Sequence, residues 1–315
     1  MKKKIIIDCD VGVDDALALI LAFHSPELEV KAVTGVNGNV PLATVFKNIQ
    51  KVLSLVQPRQ RPLIARGADR PLKGTPVYAY SVHGEDGLGG AKIERKAGEE
   101  WWQVFPGQAD ELIPQLARLH PQEVTLVATG PLTNLALGLH KDPQGMRQLK
   151  EVVIMGGAVR TSGNITPFAE FNIFVDPPAA KMVFESGLPI TLVPLDVTHQ
   201  VSLSKQVMEG RVKSINNRFS RFVIEATGYD FIDHLFRGRR EVVHLHDPLA
   251  VGVAADPTLV KKERVFILVE TQDRELYGQT LEVPAEKVSG VQNLHACLGV
   301  NSETFLELFL SRLGA

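Results

Sequence analysis

The chain has 315 residues, 44% hydrophobic and 22% charged, with 34 Lys and Arg residues against 36 Asp and Glu residues. This composition is typical of a globular protein and excludes the fibrous, disordered and membrane-spanning classes. The formal net charge of −2 lacks the basic excess that binding to nucleic acid requires, so we expect a small-molecule substrate and neither a nucleic-acid nor a membrane partner.

The cysteines and the first residues indicate the compartment. Cys9 and Cys297 are too few for a disulfide framework or a Cys-based zinc site, which favours a reducing environment. The lysines at residues 2–4 are followed by only three isoleucines before Asp8, whereas a secretory signal needs roughly 7–15 apolar residues. We therefore expect a cytoplasmic protein.

Short apolar runs alternate with helical patterns through the first two-thirds of the chain, which is the rhythm of βαβ units. The predicted strands cover residues 4–9, 29–36, 123–127, 151–155 and 190–194. The predicted helices cover residues 14–24, 42–56, 109–119, 132–139, 177–185 and 249–254. Because these strands are continuous apolar runs, we expect them to be buried on both faces, in a mostly parallel sheet flanked by helices.

The last part of the chain has a different pattern. Apolar runs at 265–270, 279–283 and 295–300 predict a small C-terminal β-ribbon, and an amphipathic helix is predicted at 302–313. No repeat or flexible linker interrupts the chain, so the prediction is an α/β fold in a single domain over residues 1–315. The polar loops at 66–106 and 156–175 are longer than ordinary connections, and such loops are usually functional.

Polar residues follow the predicted strands, at the edge where open α/β sheets bind ligands. They include Asp8, Asp10, Asn37, Asn39, Thr129, Asp196 and Thr198. The densest segment is DCDVGVDD at residues 8–15, with four carboxylates in eight residues. Two carboxylates roughly 4 Å apart repel by about 4 kcal/mol at an effective dielectric near 20, so a convergent cluster must protonate, spread apart or hold a cation.

The donor types in this segment favour a hard cation. Without His ligands, carboxylate oxygens are suited to Ca²⁺ or Mg²⁺ rather than zinc. The alternative is that Asp14 is the N-cap of the following helix and Asp15 interacts with the helix dipole. That alternative leaves Asp8 and Asp10 unexplained.

A second acidic segment is HLHDP at residues 244–248, directly before a predicted helix. His244 and His246 could share a zinc ion, as in a binuclear metallohydrolase. In the structural alternative, Asp247 is an N-cap and Pro248 occupies the first helical position. The amide-rich loop 164–172 suits hydroxyl groups, whereas the Gly-rich loop 83–90 lacks the spacing of a phosphate-binding motif.

Together these segments resemble the nucleoside N-ribohydrolase family, also called inosine-uridine nucleoside hydrolases. The family signature DxDxGxDDA is matched by Asp8, Asp10, Gly12, Asp14, Asp15 and Ala16. The similarity continues through residues 38–39, 83–84, 128–134, 155–157, 169–172 and 246–248, so it covers nearly the whole chain. Val11 stands where the family usually has proline, and the segment 229–240 is rich in arginine where family members vary.

The resemblance implies hydrolysis of the N-glycosidic bond of ribonucleosides by a Ca²⁺-bound water, in nucleoside salvage or catabolism. It implies that Ca²⁺ is held by Asp10, Asp15, the Thr129 main-chain carbonyl and Asp247. Asp10 would also be the general base. It implies substrate contacts from Asp14, Asn39, Met155, Asn164, Glu170 and Asn172, to which we add Tyr229. His83 and His246 would approach the nucleobase of the substrate, and His246 is the first candidate for the acid that protonates this leaving group.

Two other functions stay open at this point. An aspartate-dependent metal phosphohydrolase would use Asp8 as the nucleophile and should also have a Lys after a later strand. A catalytically silent nucleoside-binding protein would keep the site without turnover. We expect a homo-oligomer, a dimer or a tetramer; the preferred base and the role of Arg237 to Arg240 are also open.

Overall fold

The computed structural model describes residues 2–94, 98, 100–236, 242–288 and 290–315, with the backbone alone for 229–236. The strands in this part of the chain are Lys3–Cys9 (β1), Leu28–Gly35 (β2), Leu63–Arg66 (β3), Gln103–Gln108 (β4), Val124–Ala128 (β5), Glu151–Met155 (β6), Ser186–Val193 (β7), Ser202–Ser204 (β8), Val242–His244 (β9), Val260–Arg264 (β10), Ile267–Val269 (β11), Thr280–Glu282 (β12) and Val291–Val300 (β13).

The longer helices are Val13–His24, Leu42–Val56, Ala109–Leu119, Thr133–Lys141, Pro177–Phe184, Arg218–Phe236, His246–Ala255 and Ser302–Leu313. The short helical segments are Tyr80–His83, Pro143–Met146, Phe171–Val175, Leu195–Thr198, Lys205–Val207, Met208–Val212, Lys213–Ile215, Pro257–Leu259 and Ala285–Lys287. In the part of the chain that the structure describes, no helix is both long and apolar enough to cross a membrane.

Nine strands form the central sheet, in the order β10-β13-β7-β6-β5-β1-β2-β3-β4. All neighbours in it are parallel except β10 and β13. Strand β1 lies between β5 and β2, with Asp8 in register with Ala128 and Thr34. The prediction of a mostly parallel sheet flanked by helices is confirmed.

The isoleucines of β1 show why the strands lack polar alternation. Ile5 and Ile7 point into the apolar core beneath helices that include Val13–His24 and His246–Ala255. Ile6 points into the opposite core, which the helices Ala109–Leu119 and Pro177–Phe184 cover. Both faces of β1 are therefore shielded from water, and burial of each such side chain contributes roughly 1.5–3 kcal/mol to the stability of the fold.

The C-terminal part differs from the prediction in one strand. The small ribbon is confirmed, because β11 pairs with β12 in antiparallel fashion. The third predicted run, 295–300, instead belongs to β13 in the central sheet, between β7 and β10. Leu294 and Cys297 are buried in opposite cores, so this strand needs cover on both faces, which the central sheet provides.

Several element boundaries also differ. The helix predicted from residue 249 begins at His246, and the predicted loops contain β4 and the helices Tyr80–His83 and Phe171–Val175. The short strand β3 and the helix Arg218–Phe236 were not predicted. The β-branched residues and Gly228 in that helix have low intrinsic helix propensity, so packing decides its structure.

Candidate active site

The carboxyl ends of four neighbouring strands bring the candidate residues together. Asp10 follows β1, Asn39 follows β2, Thr129 follows β5 and Met155 ends β6. These strands are adjacent and parallel, so the residues lie along one edge of the sheet. This edge is the position at which a ligand site is expected in an open α/β sheet.

Three carboxylates form a compact cluster at this edge. Oxygens of Asp14, Asp15 and Asp247 lie within 4.8 Å of one another, and among the described residues no other group of His, Cys, Asp or Glu is as close. Asp14 and Asp15 lie in the first turn of Val13–His24, and Asp247 lies in the first turn of His246–Ala255. Two helix N-termini therefore direct their positive dipole ends toward the same negative charges.

The capping geometry shows that neither Asp14 nor Asp247 is the N-cap of its helix. Gly12, not Asp14, is the N-cap of Val13–His24, and Leu245 rather than Asp247 caps the second helix. Asp15 accepts a hydrogen bond of 2.8 Å from the backbone N–H of the N-cap Gly12. The role of Asp15 is thus partly structural, whereas Asp14 and Asp247 are not needed to begin their helices.

Further hydrogen bonds hold the cluster in place. The Thr129 hydroxyl donates to Asp15 Oδ1 at 2.8 Å, and the Asn39 amide donates to Asp15 Oδ2 at 3.3 Å. The Asn39 backbone N–H donates to Asp10 Oδ2 at 2.6 Å. Within the described part of the chain, Asp10 Oδ1 and Asp14 Oδ1 are buried without a hydrogen-bond partner.

Burial changes the acidity of these groups. It raises the pKa of Asp15 to about 6, with a further contribution from the charge of Asp14. It also raises the pKa of Asp10 and Asp247 well above the usual range, with the neighbouring carboxylates adding to the effect. A divalent cation would relieve this repulsion and satisfy the unpartnered oxygens, so the donor set fits such an ion.

The carbonyl of Thr129, which the resemblance includes among the metal ligands, has a protein partner in this structure. The Asn172 side-chain amide donates to it at 2.8 Å and to the Met155 carbonyl at 3.2 Å. A carbonyl oxygen has two lone pairs, so this bond leaves one for a cation. Asn172 thereby ties β5 to β6 at the site.

Asp8 lies deeper in the sheet than the cluster. It is fully buried, and its Oδ1 accepts hydrogen bonds from the Thr34 hydroxyl and from the Asn134 amide at 2.8 Å. Burial raises the pKa of Asp8 to about 7. A phosphohydrolase nucleophile must reach its substrate, so the position of Asp8 argues against that alternative.

The 156–175 loop is organised around Glu170. This buried carboxylate accepts hydrogen bonds from the backbone N–H groups of Gly157, Asn172 and Ile173, and burial raises its pKa to about 6. Asn164 Oδ1 accepts a bond of 2.9 Å from the Phe171 N–H. Glu170 and Asn172 thus lie buried next to Met155, and Asn164 lies in the same loop.

His83 lies next to Asp14 of the aspartate cluster. Its Nδ1 accepts a hydrogen bond of 3.1 Å from the Val13 N–H and lies 3.9 Å from Asp14 Oδ1. Burial lowers the pKa of His83 to about 4. A Cβ on Gly12 would lie 2.7 Å from Nδ1 of His83, so this position needs glycine.

His246 is surrounded by other histidines. Its ring centroid is 5.4 Å from that of His244 and 5.7 Å from that of His199, and Nδ1 is 2.7 Å from the Thr198 hydroxyl. Burial lowers the pKa of His246, and the neighbouring histidines lower it further. The three rings are close, but the group that the geometry offers to a metal is the aspartate cluster, which argues against the zinc interpretation.

Two predicted features lie outside the described residues, namely the side chain of Tyr229 and the segment 237–240. Conversely, sequence reasoning missed the support that Thr34 and Asn134 give to Asp8. It noted Thr198 only as a polar residue after a strand. The hydrogen bond from Thr198 to His246 links residues 48 positions apart, so no local signal could show it.

The comparisons with known proteins agree with this geometry. The family model "Inosine-uridine preferring nucleoside hydrolase" matches residues 5–307. The chain is 38% identical over 314 residues to the pyrimidine-specific ribonucleoside hydrolase RihA of Photobacterium profundum and to that of Salmonella typhi, with 99% of each chain covered.

Solved structures show the same relationship. The plant nucleoside hydrolase PpNRh1 superposes with a TM-score of 0.92 at 31% identity over 100% of both chains. The purine-preferring ribonucleoside hydrolase of Gardnerella vaginalis gives a TM-score of 0.90 at 30% identity, covering 99% of this chain and 98% of that one. With its signature carboxylates gathered at one sheet edge, the chain belongs to the inosine-uridine preferring nucleoside hydrolase family.

Proposed function

We propose that the aspartate cluster and the residues around it are the site at which this ribonucleoside hydrolase cleaves the N-glycosidic bond and releases base and ribose. The observation that carries the proposal is the convergence of Asp14, Asp15 and Asp247, whose oxygens lie within 4.8 Å of one another, next to the buried Asp10. Among the described residues, the Oδ1 atoms of Asp10 and Asp14 have no hydrogen-bond partner. Asp10 follows β1, Asp14 and Asp15 lie in the first turn of Val13–His24, and Asp247 lies in the first turn of His246–Ala255.

The cation that we propose for this site is Ca²⁺, held by Asp10, Asp15, Asp247 and the Thr129 carbonyl. All four donors are oxygens, and Ca²⁺ tolerates the flexible geometry that such a mixed set provides, whereas Mg²⁺ requires near-octahedral ligands. A divalent cation supplies charge that orients the ribose hydroxyls and makes water more acidic.

Asp10 is proposed as the general base. Its Oδ2 is held by the Asn39 N–H, while its Oδ1 makes no hydrogen bond to the described residues and can accept a proton from the attacking water. Burial and the neighbouring carboxylates raise the pKa of Asp10 in the metal-free chain, and a bound cation would lower it again, so that Asp10 would be ionised and able to accept a proton. Direct attack by water predicts inversion of configuration at C1′.

The ribose is proposed to lie between the cluster and the 156–175 loop. Asp14, Asn39 and Asn172 would bind its hydroxyls, Asn164 and Glu170 would bind its 5′ end, and Met155 would contact the sugar ring. The buried carboxylates would also stabilise the positive charge that develops at C1′ as the bond breaks. His83 and His246 would face the nucleobase, and Tyr229 stays a predicted substrate contact.

We further propose that pyrimidine ribonucleosides are the preferred substrates, in nucleoside salvage or catabolism. The support is the name of the RihA relatives, which are 38% identical, against 30% for the purine-preferring relative. The single domain over 1–315, the homo-oligomer and the cytoplasmic location stay predictions; the buried free thiols of Cys9 and Cys297 are consistent with the last.

The test is release of free ribose from uridine, cytidine and inosine, with phosphate release from phosphate esters measured in parallel. We expect ribose from the ribonucleosides, fastest from uridine or cytidine, and no phosphate. Phosphate release alone would support the phosphohydrolase, and saturable nucleoside binding without ribose release would support the catalytically silent binding protein.

A further inference from the structure

Thr198 lies against one ring nitrogen of His246. Its hydroxyl oxygen is 2.7 Å from Nδ1 of His246, which is a short and well-formed hydrogen bond. Thr198 is the last residue of the helix Leu195–Thr198, which follows β7, and it is fully buried. Its backbone N–H is bonded to the Pro194 carbonyl, so the hydroxyl is the group of this residue that meets the histidine.

The direction of this hydrogen bond follows from the surroundings of the hydroxyl. Among the residues that the structure describes, the Thr198 hydroxyl has no hydrogen-bond partner besides Nδ1. If Nδ1 were the donor, the hydroxyl hydrogen would be buried without an acceptor, which is unfavourable. The favoured direction is therefore from the Thr198 O–H to Nδ1.

A neutral imidazole that accepts at Nδ1 carries its hydrogen on Nε2. Nε2 lies on the opposite edge of the ring and makes no hydrogen bond to any described residue, and His246 is partly exposed. In the sequence, His246 directly precedes Asp247, which belongs to the carboxylate cluster. The Nε2–H group is therefore an unused donor, among the described residues, on the ring edge opposite the one that contacts Thr198.

The Nδ1 atom of His83 also accepts a hydrogen bond, in this case from a backbone N–H group. The Val13 backbone N–H, which can only donate, bonds to Nδ1 of His83 at 3.1 Å. The hydrogen of a neutral His83 ring is consequently on Nε2 as well. A backbone group thus selects the tautomer of one histidine, and a threonine side chain selects that of the other.

We propose that Thr198 is a positioning residue that holds His246 in the Nε2–H tautomer, so that this N–H donates a hydrogen bond to the leaving base. The inference rests on the proposed function. As the bond from C1′ to the base breaks, its electron pair passes to the base, and an oriented donor stabilises that charge. Water supplies hydroxyl to C1′, and the proton that the water loses balances the one that the released base gains.

The test compares Thr198→Val, which keeps the shape without the hydroxyl, with Thr198→Ser, which keeps the hydroxyl. The first readout is the ¹⁵N NMR spectrum of Ca²⁺-loaded protein labelled in its nine histidine rings, in which protonated and unprotonated ring nitrogens resonate separately. The His246 signals are identified by their absence from the spectrum of His246→Gln. We expect the hydrogen on Nε2 in the parent and in Thr198→Ser, and a mixture of tautomers in Thr198→Val.

The second readout is kinetic. For uridine, kcat of Thr198→Val should fall by at least about tenfold with KM nearly unchanged, and Thr198→Ser should stay within about threefold of the parent. For 4-nitrophenyl riboside, whose leaving group needs little assistance, both variants should stay within about threefold. Thermal unfolding of each variant checks that the fold is kept.

Two results would overturn the role of Thr198: a parent spectrum with the hydrogen on Nδ1 of His246, or equal losses of kcat on both substrates in Thr198→Val. If Thr198→Val does not fold, the parent spectrum decides the tautomer alone. Failure of the proposed function has a different signature, namely no ribose release by the parent protein. The parent spectrum still decides the tautomer in that case.

Discussion

Replacing Asp15 with asparagine should change how the stability of the metal-free protein depends on pH. Burial and Asp14 raise the pKa of Asp15 from 3.8 to about 6 in the folded chain. Between these two values the folded state binds more protons than the unfolded state, so this group lowers the free energy of unfolding as the pH rises. The shift is roughly two pKa units, and at about 1.4 kcal/mol per unit it corresponds to about 3 kcal/mol at neutral pH.

The assay is urea unfolding of the parent and of Asp15→Asn, with chelator present, from about pH 4 to about pH 7.5. The free energy of unfolding of the variant minus that of the parent should increase by about 3 kcal/mol across this range, mostly below pH 6. Burial is the main cause of the lowered pKa of His83, so most of its opposite contribution cancels in the difference; only the smaller part that depends on the charge of Asp15 does not. Lost hydrogen bonds to Asp15 shift the whole curve but not its slope.

The matched control is Asp69→Asn, because this carboxylate is exposed. Its difference curve should vary by less than about 0.5 kcal/mol over the same range. Adding Ca²⁺ should then stabilise the parent selectively, by about 2.7 kcal/mol when free Ca²⁺ is 100 times Kd. A flat difference curve for Asp15→Asn in chelator would refute the reasoning that this buried carboxylate is destabilising without a cation.

Four further predictions concern the reaction. Protein purified without chelator should contain Ca²⁺ by elemental analysis, and stoichiometric zinc in its place would contradict the oxygen-donor assignment. Asp10→Asn should stay folded by circular dichroism yet lose at least about 10² in kcat, since it lacks the proton acceptor; activity within tenfold of the parent would remove Asp10 as the base. Ribonucleosides should exceed 2′-deoxyribonucleosides by at least about 10² in kcat/KM, because a missing hydroxyl removes a contact to Asn172 or to Asp14, whose Oδ1 is buried without a partner among the described residues; comparable values would count against these contacts. His246→Ala should slow inosine hydrolysis by roughly 10²–10⁴ while 4-nitrophenyl riboside is nearly unaffected, and equal losses would exclude a role in leaving-group activation.

Local patterns determined much of this protein. The apolar runs predicted β1, β2, β5, β6 and the second half of β7, because a strand buried on both faces is largely apolar along its length. The spacing of Asp10, Asp14 and Asp15 around a strand end and a helix start indicated a cation site, because these elements are contiguous in the chain. These features depend on residues that are near one another in the sequence, so they can be predicted without the rest of the fold.

Long-range packing decided the remainder. Strand β13 resembles a ribbon strand in sequence, and it joins the central sheet because only there are both of its faces covered. Asp247 completes the cluster only because the helices Val13–His24 and His246–Ala255 pack together. Thr198 acquires a role for the same reason, since a hydrogen bond between distant residues depends on tertiary contacts rather than on any periodicity of the sequence.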